Sequence, residues 1–201
     1  MNNFPVQDSF VIICPGIHES QLTQNFLEGL HRSETSNLSS RWREKVLIFP
    51  TQDYPAYSGV HILEFLQLHT SQLTAPVVFI SFSAGVAGAI VAAWGWQRLG
   101  RKVKAFIAID GWGVPLYGDF LIHRLSHDYF THWSSALLGA GDDSFYADPP
   151  IEHLDLWRSP DVCKGWWVHP ATVGIAEQRT FTTAAQFITQ VLHRYIGDST
   201  D

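Results

Sequence analysis

Pro76-Val77-Val78-Phe79-Ile80 runs into Ser81-Phe82-Ser83-Ala84-Gly85, and Val86-Ala87-Gly88-Ala89-Ile90-Val91-Ala92-Ala93 follows at once. A β-branched apolar run, a tight turn and a helix-forming run place a serine, Ser83, at the apex. Such a turn lifts the hydroxyl clear of the backbone on either side, and small residues two positions away let strand and helix pass closely. The helix start offers unpaired N–H groups and the positive end of a dipole to a developing negative charge. These features suit nucleophilic attack by a hydroxyl. They also suit a serine that only caps a helix.

A serine hydroxyl is a weak nucleophile until an imidazole takes its proton, and that imidazole needs a carboxylate to hold its tautomer and balance its charge. Asp110 ends the apolar run Val103-Lys104-Ala105-Phe106-Ile107-Ala108-Ile109 and precedes Gly111-Trp112-Gly113. In parallel sheets functional groups gather at the carboxyl ends of strands, where Ser83 also sits. Asp142, Asp143 and Asp148 are the reserve acids.

The segment Ser81-Phe82-Ser83-Ala84-Gly85 resembles the nucleophile elbow Gly-x-Ser-x-Gly of the α/β-hydrolase family, departing at its first position, where Ser81 stands for glycine. The resemblance implies the chain order serine, acid, histidine. His31, His61 and His69 precede the elbow, and His193 falls in the last helical stretch. His153, in Ile151-Glu152-His153-Leu154-Asp155-Leu156-Trp157, follows the last strand-like run and precedes a helix expected from Ser159-Pro160. That is where the family keeps its histidine, and the stretch is similar to the His-Leu-Asp segment of acid lipases. His169, in Trp167-Val168-His169-Pro170, is the alternative. The family often places its acid one strand later than Asp110, although some members carry it at the earlier strand.

The same resemblance implies an oxyanion hole. The run Val11-Ile12-Ile13-Cys14 ends in Pro15-Gly16-Ile17-His18. By that likeness the backbone N–H groups of Ile17 and Ala84 hold the oxyanion, with His18 the nearest alternative to Ile17. Trp112 and Tyr117 are expected to bind substrate, with Phe120 and Tyr129 as further walls. The implied activity is a serine hydrolase cleaving an ester or thioester, such as a carboxylesterase, lipase or thioesterase, through an acyl-enzyme on Ser83, with no cofactor and no metal. The contrasting reading is a catalytically silent hydrolase-like fold that serves as a binding or scaffold module. His123 and His127 stand four apart, as ligands on one helical face would, but no third ligand accompanies them.

The elements that must position these residues follow from the hydrophobic pattern. Ser9–Cys14, Lys45–Phe49, Val77–Phe82 and Val103–Ile109 are short, nearly continuous apolar runs, as strands buried on both faces require. Helical patterns over 21–30, 61–68 and 84–99 alternate with them, which implies a parallel sheet covered by helices. A short strand is expected over 144–147 and an amphipathic helix over 182–196, stopped by Gly197. The stretch 114–140, with scattered aromatics, Gly and His, reads as a lid-like excursion. The expectation is one domain over residues 1–201, α/β, three-layer α/β/α, with a mostly parallel sheet of about five or six strands.

The 201 residues are 46% hydrophobic and 16% charged, enough to build one core and too apolar for disorder. The net charge of −6 with no Lys/Arg stripe argues against a nucleic-acid surface. The apolar runs are too short to span a membrane. Met1-Asn2-Asn3-Phe4-Pro5 lacks the basic and apolar parts of a signal peptide, and Cys14 and Cys163 are the two cysteines, so a cytoplasmic location is expected, while the small-molecule acyl substrate is what the hydrolase resemblance implies.

Overall fold

The computed structural model describes residues 9–33, 42–70, 75–171 and 176–196. In chain order its elements are β1 (Phe10–Cys14), α1 (Ser20–Ser33), β2 (Val46–Ile48), α2 (Gly59–Thr70), β3 (Val77–Phe82), α3 (Ala84–Arg98) and β4 (Val103–Ile109). They continue with β5 (Leu121–Ser126), α4 (Tyr129–Ala136), β6 (Ser144–Ala147), α5 (His153–Arg158), β7 (Lys164–His169), β8 (Gln178–Thr183) and α6 (Ala184–Ile196). The eight strands form one sheet in the order β2-β1-β3-β4-β5-β6-β7-β8. Neighbours from β2 to β6 pair in parallel, and β7 and β8 join antiparallel.

The apolar runs form strands because both faces of the sheet are covered, and side chains of a strand alternate between faces. Val11, Ile13, Val78, Ile80 and Phe82 pack with Phe26 and Leu30 of α1, Trp157 of α5 and Phe187 of α6. Ile12, Cys14, Val77 and Phe79 point the other way, to Ile62 and Leu66 of α2 and Ala89 and Ala93 of α3. The result is an α/β fold with a buried core on each face of its sheet. No helix among the described residues is long and apolar enough to cross a membrane.

The sheet is larger than the five or six strands expected, and three strands account for the difference. The first, β5, lies inside the 114–140 stretch read as a lid-like excursion, and it is a buried interior strand between β4 and β6. Its His123 and Arg124 disguised it. Arg124 is buried, and its guanidinium donates to the carbonyls of Gly139 at 2.6 Å, Val114 at 3.2 Å and Leu138 at 3.3 Å. Burial pushes the Arg124 guanidinium down to about 10.

The other two are β7 and β8. The helix expected to start near Ser159 is absent; Ser159 instead follows the end of α5, and the chain turns into β7. Edge strand β8 is mostly exposed and polar, so it carries no apolar run to read. The last helix begins at Ala184 rather than 182, and Gly197 lies outside the described residues.

Candidate active site

Ser83 stands between β3 and α3 at φ 52° and ψ −123°. Among the described residues the non-glycine positions with positive φ are Ser83 and Asp110, at 52° and 50°. Such backbone costs of order 1–3 kcal/mol and persists where the surroundings over-determine it. Here the Ser83 N–H donates to the Ile109 carbonyl at 2.9 Å and the Val86 N–H to the Ser83 carbonyl at 3.0 Å. Ser81, where the resembling motif has glycine, is fully buried and its hydroxyl donates to the Ile107 carbonyl at 3.3 Å, so the extra side chain is satisfied inside the sheet. Gly85 is needed for close approach: a Cβ there would lie 2.4 Å from the carbonyl oxygens of Cys14 and Pro15. The end of β1 is thereby pressed against the start of α3.

Asp110 reaches Ser83 through strand register. Phe82 pairs with Ile109 and Ile109 with Leu125, so residues 83, 110 and 126–127 emerge side by side at the carboxyl edge of β3, β4 and β5. The Asp110 N–H donates to the Leu125 carbonyl at 2.8 Å. Its carboxylate accepts three bonds: from the His127 N–H to Oδ1 at 2.9 Å, and from Nδ1 of both His127 and His153 to Oδ2, each at 2.9 Å. Burial alone would push this carboxyl up, but the bonds from His127 and His153 outweigh it and hold the group below the usual carboxylate range.

His153 opens α5. With Nδ1–H donated to Asp110, Nε2 is the acceptor, and it lies 3.1 Å from the Ser83 hydroxyl. The imidazole is backed by Phe82, whose ring is 4.7 Å away and 20° from parallel. Phe82 stacks in turn on Trp157 at 4.9 Å, and Trp157 on Phe26 at 3.8 Å. A column of rings thus runs from α1 through the core to the face of His153.

In front of Ser83 lies a cleft of about 530 Å³, a size that suits a small ligand. Besides Ser83, Asp110, His127 and His153 it is lined by Ala84, Ala87, Trp112, Val114, Phe130 and Thr131. The Trp112 indole N–H donates to Ser134 Oγ of α4 at 3.1 Å, which fixes that wall. Ala84 is the first residue of α3, so its N–H has no acceptor within the helix. Gly16, just before Ile17, abuts the elbow: a Cβ there would lie 3.1 Å from Ser83 Cβ. The Ile17 side chain points to solvent, 75% exposed, and lines a neighbouring groove with His18 and Tyr54.

Several expected participants lie elsewhere. Tyr117 stacks on Trp94 at 4.5 Å and lines a separate groove between α2 and α3 that shares no residue with the cleft. Phe120 packs on Phe106 in the core, and Tyr129 contacts Tyr146. His169 sits on β7 with Nδ1 3.3 Å from Asp143. Asp142 accepts the Ile122 N–H at 2.8 Å, Asp143 also meets Arg194, and Asp148 accepts the Trp166 indole N–H at 2.8 Å, so each reserve acid is engaged away from Ser83. His123 is on strand β5, not a helix, and its Nε2 meets the Tyr195 hydroxyl at 2.7 Å, which separates it from His127.

The residue missed at the site is His127. Hidden in the stretch read as an excursion, it follows the last residue of β5, the same kind of position as Ser83 after β3 and Asp110 after β4. Recognising Leu121–Ser126 as a strand would have exposed it. Ligand-type atoms of Asp110, His127 and His153 lie within 4.8 Å of one another. Within that group Nδ1 of both His127 and His153 lies 2.9 Å from Asp110 Oδ2. Comparison of the chain with protein-family models, curated proteins and solved structures finds no match.

Proposed function

We propose that this chain is a serine hydrolase of the α/β-hydrolase kind that cleaves an ester or thioester through an acyl-enzyme on Ser83. One observation carries the reading: the Ser83 hydroxyl lies 3.1 Å from His153 Nε2 while His153 Nδ1 lies 2.9 Å from a buried Asp110 oxygen. An unbroken hydrogen-bonded path thus joins nucleophile, base and carboxylate.

In the first half-reaction His153 Nε2 takes the Ser83 proton as Oγ attacks the acyl carbon. The new imidazolium is balanced by Asp110, and gives its proton to the departing alkoxide or thiolate. In the second half-reaction water attacks the acyl-enzyme, His153 takes its proton, and the proton returns to Ser83 as the acid leaves. The tetrahedral oxyanion of both steps is assigned to the N–H of Ala84 and of Ile17, the first supported by its place at the start of α3 and the second by the packing of Gly16 against the elbow. Trp112, Val114 and Phe130 give the acyl group an apolar wall, so a neutral small-molecule acyl substrate fits best. No step calls for a cofactor. Cys14 and Cys163 are free and buried thiols, which favours a reducing compartment such as the cytoplasm.

The test is hydrolysis of p-nitrophenyl esters of graded acyl length. Turnover that disappears in Ser83→Ala is expected. Equal release by wild type and Ser83→Ala, or none from any ester or thioester, would favour a binding module on the same fold.

A further inference from the structure

His127 touches both oxygens of the carboxylate that His153 uses. Its backbone N–H meets Oδ1 and its ring Nδ1 meets Oδ2, each at 2.9 Å, and the His153 Nδ1 shares that second oxygen. The Asp110 carboxylate needs such anchoring. Its side chain is 1% exposed, so water cannot satisfy it, and its backbone is held at φ 50°. The backbone donor is available to any residue at 127, whereas the second bond to Oδ2 depends on the imidazole.

We propose that His127 is a positioning residue of the catalytic centre, which fixes the Asp110 carboxylate in the ionised, oriented state that His153 requires. The proposal rests on the hydrolase reading of Ser83 and adds a fourth member to its hydrogen-bonded path. The charged and titratable groups facing His127 are Asp110 from the end of β4, Asp128 before α4, and Glu152 and His153 at the start of α5. Asp128 is held by its own bond, Oδ1 accepting the Thr131 N–H at 2.6 Å, and its other oxygen lies 3.6 Å from His127 Nε2. The imidazole is therefore gripped between two carboxylates, and the hydrogen bond to Asp110 chiefly favours its protonated form. Donation by His127 draws part of the carboxylate's charge away from His153. Without it, the whole charge of Asp110 would fall on His153 and favour the imidazolium over the free base.

Three variants separate orientation from mere packing. Asparagine carries its amide nitrogen as many bonds from Cβ as histidine carries Nδ1, so His127→Asn keeps the donor in place. His127→Gln moves the donor one atom outward, and His127→Ala removes it. Esterase turnover is measured per active site titrated with a fluorophosphonate, over pH 5–9. His127→Ala is expected to lose about tenfold in kcat with KM changed less than about twofold, the order of one charge-assisted hydrogen bond. The acid limb of its kcat profile should move up by about half a pH unit. His127→Asn should recover to within about threefold of wild type, and His127→Gln should not.

A wild-type kcat and acid limb in His127→Ala would overturn the proposal, as would a loss confined to KM or to the number of titratable sites. A wild-type protein that does not titrate overturns the hydrolase reading and this proposal with it. Titration with unchanged kcat in the variant overturns the proposal alone.

Discussion

Phe82 and His153 lie face to face, their rings 4.7 Å apart and 20° from parallel. Phe82 immediately precedes Ser83, so the neighbour of the proposed nucleophile also backs the imidazole proposed to activate it. The contact is braced from below by Trp157 and Phe26, and ties the orientation of a half-exposed imidazole to the packing of the α1–sheet–α5 core. Truncating the fully buried Trp157 to alanine is expected to cost about 3–5 kcal/mol in urea unfolding, the range for large buried aromatics, and to lower kcat as His153 loses its backing. A loss under about 1 kcal/mol would mean that the column bears no weight.

Asp110→Asn should be far more damaging to catalysis than to folding. The amide is nearly isosteric, yet it offers one acceptor oxygen to the three donors that now meet the carboxylate, so whichever way it turns at least one of them faces an NH₂ instead. A fall of about 10⁴-fold in kcat is expected, with Ser83 still in place. Steady-state kinetics alongside thermal unfolding checks this; a fall under tenfold would remove Asp110 from its role.

Ionisation of His127 links the site to stability. Its folded-state affinity for the proton lies above the ordinary value of 6.5, chiefly through the bond to Asp110. The corresponding stabilisation is therefore fully present below about pH 6.5 and is lost as pH rises through the folded value. Asp110, held below the ordinary 3.8, has the opposite dependence: its contribution is present above that value and is lost as pH falls through the lower folded value. The Tm gap between wild type and His127→Ala should accordingly be wider at pH 6 than at pH 9, as read by scanning calorimetry. A gap that does not change with pH would contradict the linkage.

The three strands bearing the site were not equally legible. Val77–Phe82 and Val103–Ile109 are buried on both faces, and burial of that kind writes itself as Val, Ile, Ala and Phe, broken here only by Ser81 and Lys104, so Ser83 and Asp110 could be placed at strand ends from sequence. Leu121–Ser126 is also an interior strand, but its His123 meets the Tyr195 hydroxyl and its Arg124 meets three carbonyls, all from outside the strand. Nothing local announces that compensation, and His127 went unseen with the strand. His153 was found by order along the chain, although its setting was misjudged: it begins a helix instead of preceding one. Tyr117 was misplaced because an aromatic after Asp110 has two grooves available, and its pairing with Trp94 is decided by packing across α3.

Glycine at 85 is a geometric requirement. In Gly85→Ala the new methyl would sit 2.4 Å from two backbone oxygens that cannot swing away as side chains do. A loss of about 1–3 kcal/mol is expected from chemical denaturation, the range for overpacking a tight site, with reduced turnover as α3 moves off β1. Wild-type stability in that variant would show that the elbow does not need this close approach.

Intact-mass spectrometry after exposure to a fluorophosphonate, followed by peptide mapping, puts the reactivity of Ser83 to the most direct trial. One phosphonyl adduct on Ser83 is expected in wild type, its formation slowed strongly in His153→Ala and abolished in Ser83→Ala. No adduct, or one that persists in Ser83→Ala, would contradict the assignment of Ser83 as nucleophile.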